Sequence, residues 1–259
     1  MASLDNSAAA TQPPVPTGFS WVDKVLKGGL RRGALHEVYA ARPGDEAAAT
    51  GFAAGMAKLL MGRRPLLWIR QNFSALEYGE LSATGFLELG LDPDLIYLLR
   101  VPHAEDALKA ASDALSCAGL GAIVIELRGE ARTLDLVASR KLTLGAAQKN
   151  VSAILLRFNA KPDASTAETR WRIAAGLSPE DQEYDWGQPR FEAHLLRNRR
   201  GQLGHWVMEW STDNGVFREP HHTPDHRTMV PSPSDRPLAT QVEGARGGAP
   251  VGAGSRAGF

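Results

Sequence analysis

Five short apolar segments alternate with helical patterns, and this alternation restricts the chain to a small set of folds. The segments are LHEVYA at 35–40, LLWI at 66–69, IYLL at 96–99, AIVIEL at 122–127 and SAILLRF at 152–158. None of them alternates strictly between polar and apolar residues, which is typical of strands buried on both faces of a parallel sheet. The sequence therefore predicts an α/β fold with a doubly wound, mostly parallel sheet.

Three helices are predicted between these strands, over residues 45–61, 104–118 and 131–149. The second places alanine and leucine side chains along one amphipathic stripe. Cys117 lies on that apolar side, so we expect it to be buried. It is the only cysteine, which excludes an internal disulfide and a multi-cysteine metal site and suits a reducing compartment.

Three later segments read as strands with no helix between them. They are RWRIA at 170–174, RFEAHLLR at 190–197 and HWVMEW at 205–210, and residues 198–204 join the last two as a hairpin. Apolar residues recur at every second position, so Trp206, Met208 and Trp210 share one face. An antiparallel extension of the main sheet is therefore predicted over about residues 165–218.

Composition indicates which terminal segments are disordered, and the net charge restricts the kinds of partner that the chain can bind. Residues 1–16 are small, polar and proline-punctuated, and residues 219–259 are rich in proline and glycine. Both are predicted to be disordered, which leaves one folded domain over 17–218. A histidine cluster in the second segment, at 221, 222 and 226, is interpreted as part of a polar tail. Lysine plus arginine equals aspartate plus glutamate at 29 each, so any nucleic-acid contact must come from a local patch.

The segment TGFSWVDKVLKGGLRRGALHEVY at 17–39 resembles the entry to the ATPase core of the RecA recombinase family. The matching series is TG, Asp23, Leu26, the triplet GGL at 28–30, Gly33, and a strand with Glu37 and Tyr39. Further matches follow at LGLDPDLIYLL (89–99), AIVIEL, the triplet RKL at 140–142, and ILLRFN (154–159). The resemblance covers about residues 17–160 and implies a RecA-like fold of the P-loop NTPase type.

Within that superfamily the chain resembles the ImuA family most closely. The residues that carry this resemblance are GGLRRGALHEVY, TRWRI at 169–173 and PRFEAHLLRNRRGQLGHWVMEW at 189–210. The resemblance implies a cytoplasmic, non-catalytic scaffold in SOS-induced, error-prone translesion DNA synthesis. It implies binding to an ImuB-like Y-family polymerase homologue and, indirectly, to the alpha-type subunit of an error-prone DNA polymerase III. RecA and DNA are further candidate partners, and a membrane is not.

The phosphate-binding loop that a RecA-like ATPase needs is degenerate in this chain. Its G-x-x-x-x-G-K-[ST] pattern uses the lysine for the β/γ-phosphates and the hydroxyl for Mg²⁺. Here Gly44 is followed by Asp45, Glu46 and Ala47, so an acid stands where the lysine belongs. A charge pair at 4 Å contributes about 4 kcal/mol at an effective dielectric near 20, and changing its sign doubles the difference. The two carboxylates are interpreted as substitutes for phosphate at the first turn of the helix.

The other catalytic positions are only partly filled. The second strand ends in Gln71 and Asn72, neither of which is a base at neutral pH. Glu126 occupies the Walker-B position, or it is simply a strand-end carboxylate that is hydrogen-bonded to nearby backbone. We therefore expect no ATP hydrolysis, no catalytic residue, and no cofactor or metal.

Basic residues cluster near the glycine turn, residues 28–30, and on the hairpin predicted over residues 190–210. Lys24 and Lys27 flank that turn together with two arginines, and further arginines lie on or beside the predicted hairpin. The candidate contacts to DNA or a partner are Arg31, Arg32, Arg197, Arg199 and Arg200. The alternative is a hairpin that is solvated or faces a protein partner.

Two other function classes stay open. One is a RecA-like, DNA-dependent ATPase with an aberrant loop, against which the missing lysine and glutamate argue. The other is a cell-division inhibitor related to SulA, a shorter RecA-like family that the Trp- and Arg-rich C-terminal strands fit less well.

Overall fold

The computed structural model describes residues 12–74, 79–177 and 187–220, and these form one mixed sheet flanked by helices. The helices are short apart from α2 and α5. The bounds are α1 Ser20–Val25, α2 Glu46–Met61, α3 Ala83–Glu88, a 3₁₀ turn Pro93–Leu95, α4 Ala104–Ala114 and α5 Leu136–Lys149. None of the helices in these ranges is long and apolar enough to cross a membrane.

Nine strands in the described residues make up the sheet. They are β1 Leu35–Ala40, β2 Leu66–Gln71, β3 Ile96–Val101, β4 Ala122–Arg128, β5 Ser152–Phe158, β6 Thr169–Ala175, β7 Arg190–Asn198, β8 Gly204–Ser211 and β9 Val216–Arg218. Their spatial order is β3-β2-β4-β5-β1-β6-β7-β8-β9. The first six strands run parallel, which confirms the predicted α/β class, and β7 to β9 are antiparallel.

The antiparallel extension begins later than predicted. Strand β6 was expected to open it, but β6 pairs in parallel with β1, where Val38 lies opposite Trp171. The chain returns to the amino end of β1 after β5, so β6 enters the sheet in the same direction as its neighbour. The first antiparallel pair is therefore β6 with β7.

Two hydrophobic cores cover the two faces of the sheet. One core packs α1, α2 and the inner side chains of β6 to β9 against one face. The other packs α4 and α5 against the opposite face. Adjacent residues of one strand serve different cores, as Trp68 and Ile69 of β2 do, which explains why β2 lacks polar–apolar alternation.

Helix α4 ends before the sequence predicts. It was expected to reach residue 118, but its last residue is Ala114, and backbone bonds from Cys117 to Ala114 and from Leu120 to Cys117 form a turn instead. Cys117 is therefore exposed, and the prediction that it is buried was wrong.

The glycine turn before β1 is closed by residues that precede α1. Val15 and Leu30 exchange two backbone hydrogen bonds of 2.7 Å each. A Cβ on Gly29, which has a φ of 121°, would lie 2.0 Å from the carbonyl oxygen of Val15. Val15 belongs to the arm predicted over residues 1–16, but these bonds place it in the fold. Residues 1–11 of that arm, and the predicted tail from residue 221 onward, lie outside the described residues.

A hydrogen-bonded chain links this turn to β6. Trp171 Nε1 donates to Thr169 Oγ1 over 3.0 Å, and Thr169 Oγ1 lies 2.8 Å from His36 Nδ1. His36 Nε2 lies 2.9 Å from the carbonyl oxygen of Arg31 and must donate there, because a carbonyl only accepts. Burial lowers the pKa of His36, and the neutral imidazole completes the chain as donor at one nitrogen and acceptor at the other.

Candidate functional site at the carboxyl edge of the parallel strands

A cavity of about 430 Å³ opens where the central parallel strands end. The carboxyl ends of β2, β4 and β5 and the first turns of α2 surround it, and ligands of open α/β sheets bind at such an edge. Its polar and charged lining residues are Glu46, Thr50, Arg70, Glu80, Ser82, Glu126 and Arg128.

The four loop positions predicted from the sequence do not act as one unit. Gly44 has a φ of 101°, and its N–H donates to Glu46 Oε2 over 2.7 Å. Asp45 turns away toward the sheet, where it accepts a 3.1 Å bond from the N–H of Ala175. Ala47 lines the cavity. The Glu46 carboxylate thus accepts a hydrogen bond from a loop N–H, as expected. Asp45 instead connects the start of α2 to β6.

The Walker-B-like position is enclosed by side chains from β2. Glu126 is 2 % exposed, and Arg70 Nη2 donates to its Oε1 over 3.2 Å. Trp68 Nε1 donates to Oε2 over 3.0 Å. The sequence offered a backbone partner as the alternative for this carboxylate, but both of its oxygens bind side chains instead. Glu126 is therefore the acceptor of a buried ion pair.

A second ionic contact closes the same edge. Arg128 Nη1 lies 3.9 Å from Glu46 Oε1, and the Arg128 guanidinium lies 4.6 Å from the centre of the Phe158 ring. Gln71 Oε1 accepts a 3.0 Å bond from the backbone N–H of Arg128, so this residue supports the end of the strand.

The charges of the cavity do not suit a nucleoside triphosphate with Mg²⁺. Three glutamates and two arginines line it, so the lining carries no positive excess for three phosphates. Phosphate binding at a helix start needs free N–H groups and cations, but Glu46 takes the N–H of Gly44. Among the described residues, no group of three His, Cys, Asp or Glu could hold a metal ion.

The predicted arginine contacts are mostly turned inward. Arg197 Nε donates to the carbonyl oxygen of Ala167 over 2.9 Å, and Arg199 Nη1 donates to that of Thr166 over 3.3 Å. Arg32 donates to the carbonyl oxygens of Leu60 and Leu59 in the last turn of α2.

Two other predicted arginines share one acid. Arg200 Nε lies 2.7 Å from Glu168 Oε1, and Arg31 Nη1 lies 4.0 Å from Glu168 Oε2. Glu168 is buried. Arg32, Arg197 and Arg200 therefore hold the glycine turn, α2 and the hairpin in place, whereas Arg31 and Arg199 are exposed.

Sequence reasoning missed Arg70 and Arg128 as part of this site. A signal exists for Arg70, because it is a charged residue inside an apolar strand, as Glu126 is in β4. The two residues are direct neighbours in the register of β2 and β4. Two opposite charges in neighbouring buried strands indicate a cross-strand ion pair once the register is known.

The strand order, the two helical layers and the cavity at the carboxyl edge define a RecA-like α/β protein. The crystal structure of the RadB recombinase matches with a TM-score of 0.54 at 14% identity, covering 80% of this chain and 100% of RadB. No family model matches the chain.

Two relatives match almost end to end. Both are called Protein ImuA and come from Caulobacter vibrioides, strains NA1000 / CB15N and ATCC 19089 / CIP 103742 / CB 15. Each is 29% identical over an alignment of 259 positions, which covers 93% of this chain and 99% of the relative. This similarity along nearly the whole of both chains supports the resemblance to the ImuA family that the sequence indicates.

Proposed function

We propose that this RecA-like protein is a non-catalytic accessory factor of damage-induced, error-prone translesion DNA synthesis. In this role it is an adaptor that binds an ImuB-like Y-family polymerase homologue and, through it, an error-prone replicative-type DNA polymerase. The similarity to the ImuA proteins supports a role in this pathway. The main observation in favour of a non-catalytic role is that the protein's own carboxylates and arginines pair with one another where a RecA-like ATPase would hold its nucleotide.

Catalysis would require these pairs to be broken. Glu126 would have to leave both Arg70 and Trp68 to hold a hydrated Mg²⁺, and an arginine left behind in a buried site is costly. The neighbouring strand supplies no carboxylate at Gln71. An adaptor needs neither step, because it acts through its surface.

We expect the purified full-length chain to show no Mg²⁺-dependent ATP turnover above background, because the loop presents Glu46 where a cation is needed. A coupled phosphate-release assay measures this, with and without single-stranded DNA. The matched control is Glu126→Ala, which removes the remaining Walker-B-like carboxylate. Turnover by the wild type that Glu126→Ala abolishes would contradict the proposal and support the DNA-dependent ATPase.

The outer edge of β3 is the surface that best suits a protein partner. In the described residues β3 pairs only with β2, so its other backbone edge has no strand beside it. Tyr97, Leu98 and Leu99 are 57%, 39% and 37% exposed. An exposed apolar edge strand readily accepts an added strand from a partner.

We expect Tyr97→Ser combined with Leu99→Ser to reduce partner capture at least about tenfold, because both side chains lie on one face of β3. The measurement is an affinity pull-down of tagged protein from DNA-damaged cells, with mass spectrometry of the proteins that co-purify. The matched control is Val137→Ser with Leu144→Ser on α5, where these two side chains are 75% and 61% exposed.

Capture of a Y-family-like polymerase homologue by the wild type and by the α5 control supports the adaptor. Capture of the tubulin-like division protein instead supports the SulA-like alternative. Either that result or the absence of any polymerase overturns the proposal. If the β3 variant captures as much polymerase as the wild type does, β3 is not the docking edge.

A further inference from the structure

A groove of about 550 Å³ lies between α1 and the turn that joins β7 to β8. Asn198 at the end of β7 is opposite Thr169 at the start of β6, so the groove lies at the amino edge of the parallel strands. The cavity described above is at the carboxyl edge. We call this feature the α1 groove, and its lining residues are Trp21, Lys24, Val25, Lys27, Gly201 and Gln202.

The two walls of the α1 groove are held together by hydrogen bonds. Asn198 Nδ2 donates to the carbonyl oxygen of Val25 over 3.1 Å and to that of Gln202 over 3.0 Å. Gly201 approaches α1 so closely that an added Cβ would lie 2.9 Å from the Val25 carbonyl oxygen. The groove is therefore preformed, and a ligand does not have to order its walls.

One end of the groove is set by an unusual backbone conformation. Lys27 has a φ of 54°, in the left-handed region that few residues other than glycine and asparagine adopt readily. Its N–H donates to the carbonyl oxygen of Lys24 over 3.2 Å, and that of Gly28 donates to Asp23 over 2.8 Å. These bonds end α1 and hold Lys27 at the rim of the groove, where it is exposed.

The charge of the groove is positive. Two lysines line it and no carboxylate does. Asp23 on the same helix is occupied elsewhere, because its Oδ1 accepts bonds of 2.7 Å and 2.8 Å from the N–H and hydroxyl of Thr17. Glu168 near the hairpin is paired with Arg200 and Arg31. The lysines are therefore available to an anionic ligand.

An exposed indole stands beside these lysines. Trp21 is 59% exposed, although tryptophan is among the side chains that gain most from burial. Lys24 Nζ lies over one face of its ring, 5.6 Å from the ring centre. A flat aromatic surface next to two cations is the combination that binds single-stranded nucleic acid, with bases stacking on the ring and phosphates on the cations.

We propose that the α1 groove binds single-stranded nucleic acid, with a base stacked on Trp21 and phosphates on Lys24 and Lys27. An acidic protein segment would satisfy the lysines but would leave the indole without a stacking partner, so the exposed ring favours a nucleic acid. This proposal goes beyond the adaptor role, which needs no contact with DNA, and the residues differ from the arginines predicted from the sequence.

The test is the fluorescence anisotropy of a labelled 20-nucleotide oligo-dT titrated with the full-length protein. Trp21→Ala should weaken binding at least about fivefold, since stacking of one base contributes ~1–3 kcal/mol. Lys24→Gln with Lys27→Asn should lower the slope of log affinity against log salt by about 1.4, because each lost phosphate contact removes roughly 0.7. Asparagine at position 27 tolerates the positive φ.

Two matched controls carry the same chemical changes elsewhere. Tyr97→Ala removes an aromatic ring that is 57% exposed, and Lys109→Gln with Lys141→Gln removes two charges from α4 and α5. Both should bind the oligonucleotide as the wild type does. Circular dichroism of every variant checks that it is folded.

Three outcomes would overturn the proposal. One is a wild type that does not bind oligo-dT at all. Another is an equal loss in the groove variants and in the lysine control, which indicates non-specific attraction. The third is unchanged binding by Trp21→Ala together with full competition by poly-glutamate, which indicates an acidic protein segment. The Trp21→Ala variant should still capture the polymerase homologue, so failure here and failure of the adaptor role are distinguishable.

Discussion

Replacing Arg70 with methionine should lower the free energy of unfolding by about 3–5 kcal/mol, because the change leaves the Glu126 carboxylate charged and without its cation. Arg70 and Glu126 are 3% and 2% exposed, so the carboxylate is poorly hydrated once its cation is lost. Methionine keeps the length of the aliphatic stem. Urea unfolding with linear extrapolation measures the loss, and an unchanged slope shows that both proteins unfold from similar states.

A second variant separates the buried charge from simple loss of packing. Arg70→Met combined with Glu126→Gln removes both charges, and the glutamine oxygen still accepts from Trp68 Nε1. This double variant should recover about 1–3 kcal/mol relative to Arg70→Met alone. Arg100→Met is the surface control: Arg100 Nη2 contacts Glu80 Oε2 over 2.6 Å, both side chains are about half exposed, and the loss should stay below about 1 kcal/mol. Equal stability of the single and double variants would rule out the ion-pair explanation.

Replacing Phe52 with alanine should also lower the free energy of unfolding by about 3–5 kcal/mol. Phe52 lies in the middle of α2, and its ring centre is 5.5 Å from that of Trp171 in β6, 5.6 Å from that of Phe191 in β7 and 4.9 Å from that of Phe217 in β9. It is 1% exposed. The aromatic cluster around it joins the antiparallel strands to the parallel part of the sheet.

Hydrogen exchange shows where this loss is located. Amides of β7 to β9 should exchange faster in Phe52→Ala than in the wild type, by a larger factor than amides of β4, because the cluster stabilises the extension locally. Leu87→Ala on α3 is the control, since this side chain is 59% exposed and should change stability by less than about 0.5 kcal/mol. A loss below 1 kcal/mol in Phe52→Ala, or equal acceleration in β4, would show that the extension is held by other contacts.

Most of the fold could be predicted because its strongest signals are local. The runs of apolar residues correctly placed five strands, and helices α2, α4 and α5 lie where helical patterns were predicted. Four of these strands are buried on both faces, but β3 is an exposed edge strand, so the prediction that it is buried was wrong. Strand β9 and helices α1 and α3 were missed. They are three and six residues long, too short for any period to emerge from the sequence.

The sequence shows which residues of an ATP-binding site are absent, but it does not show which contacts replace them. The absence of a lysine after Gly44 and of a carboxylate at Gln71 is visible in the sequence. The partners of Glu126 are not, because Arg70 and Trp68 are more than fifty residues away and reach it only through the parallel register of β2 and β4. Asp45 likewise meets the backbone of β6 across 130 positions of the chain.

The sequence by itself determined the class of fold, the absence of a lysine after Gly44 and the resemblance to the ImuA family, since each of these depends on residue types in order along the chain. The tertiary structure alone decided that β6 joins the sheet in parallel, that Arg32, Arg197 and Arg200 bind inward, and that Trp21 and two lysines share a groove with the β7–β8 turn. These outcomes depend on strand register and on distances between residues far apart in sequence. Hydrophobic burial sets which faces meet but not which polar atoms come within hydrogen-bonding distance.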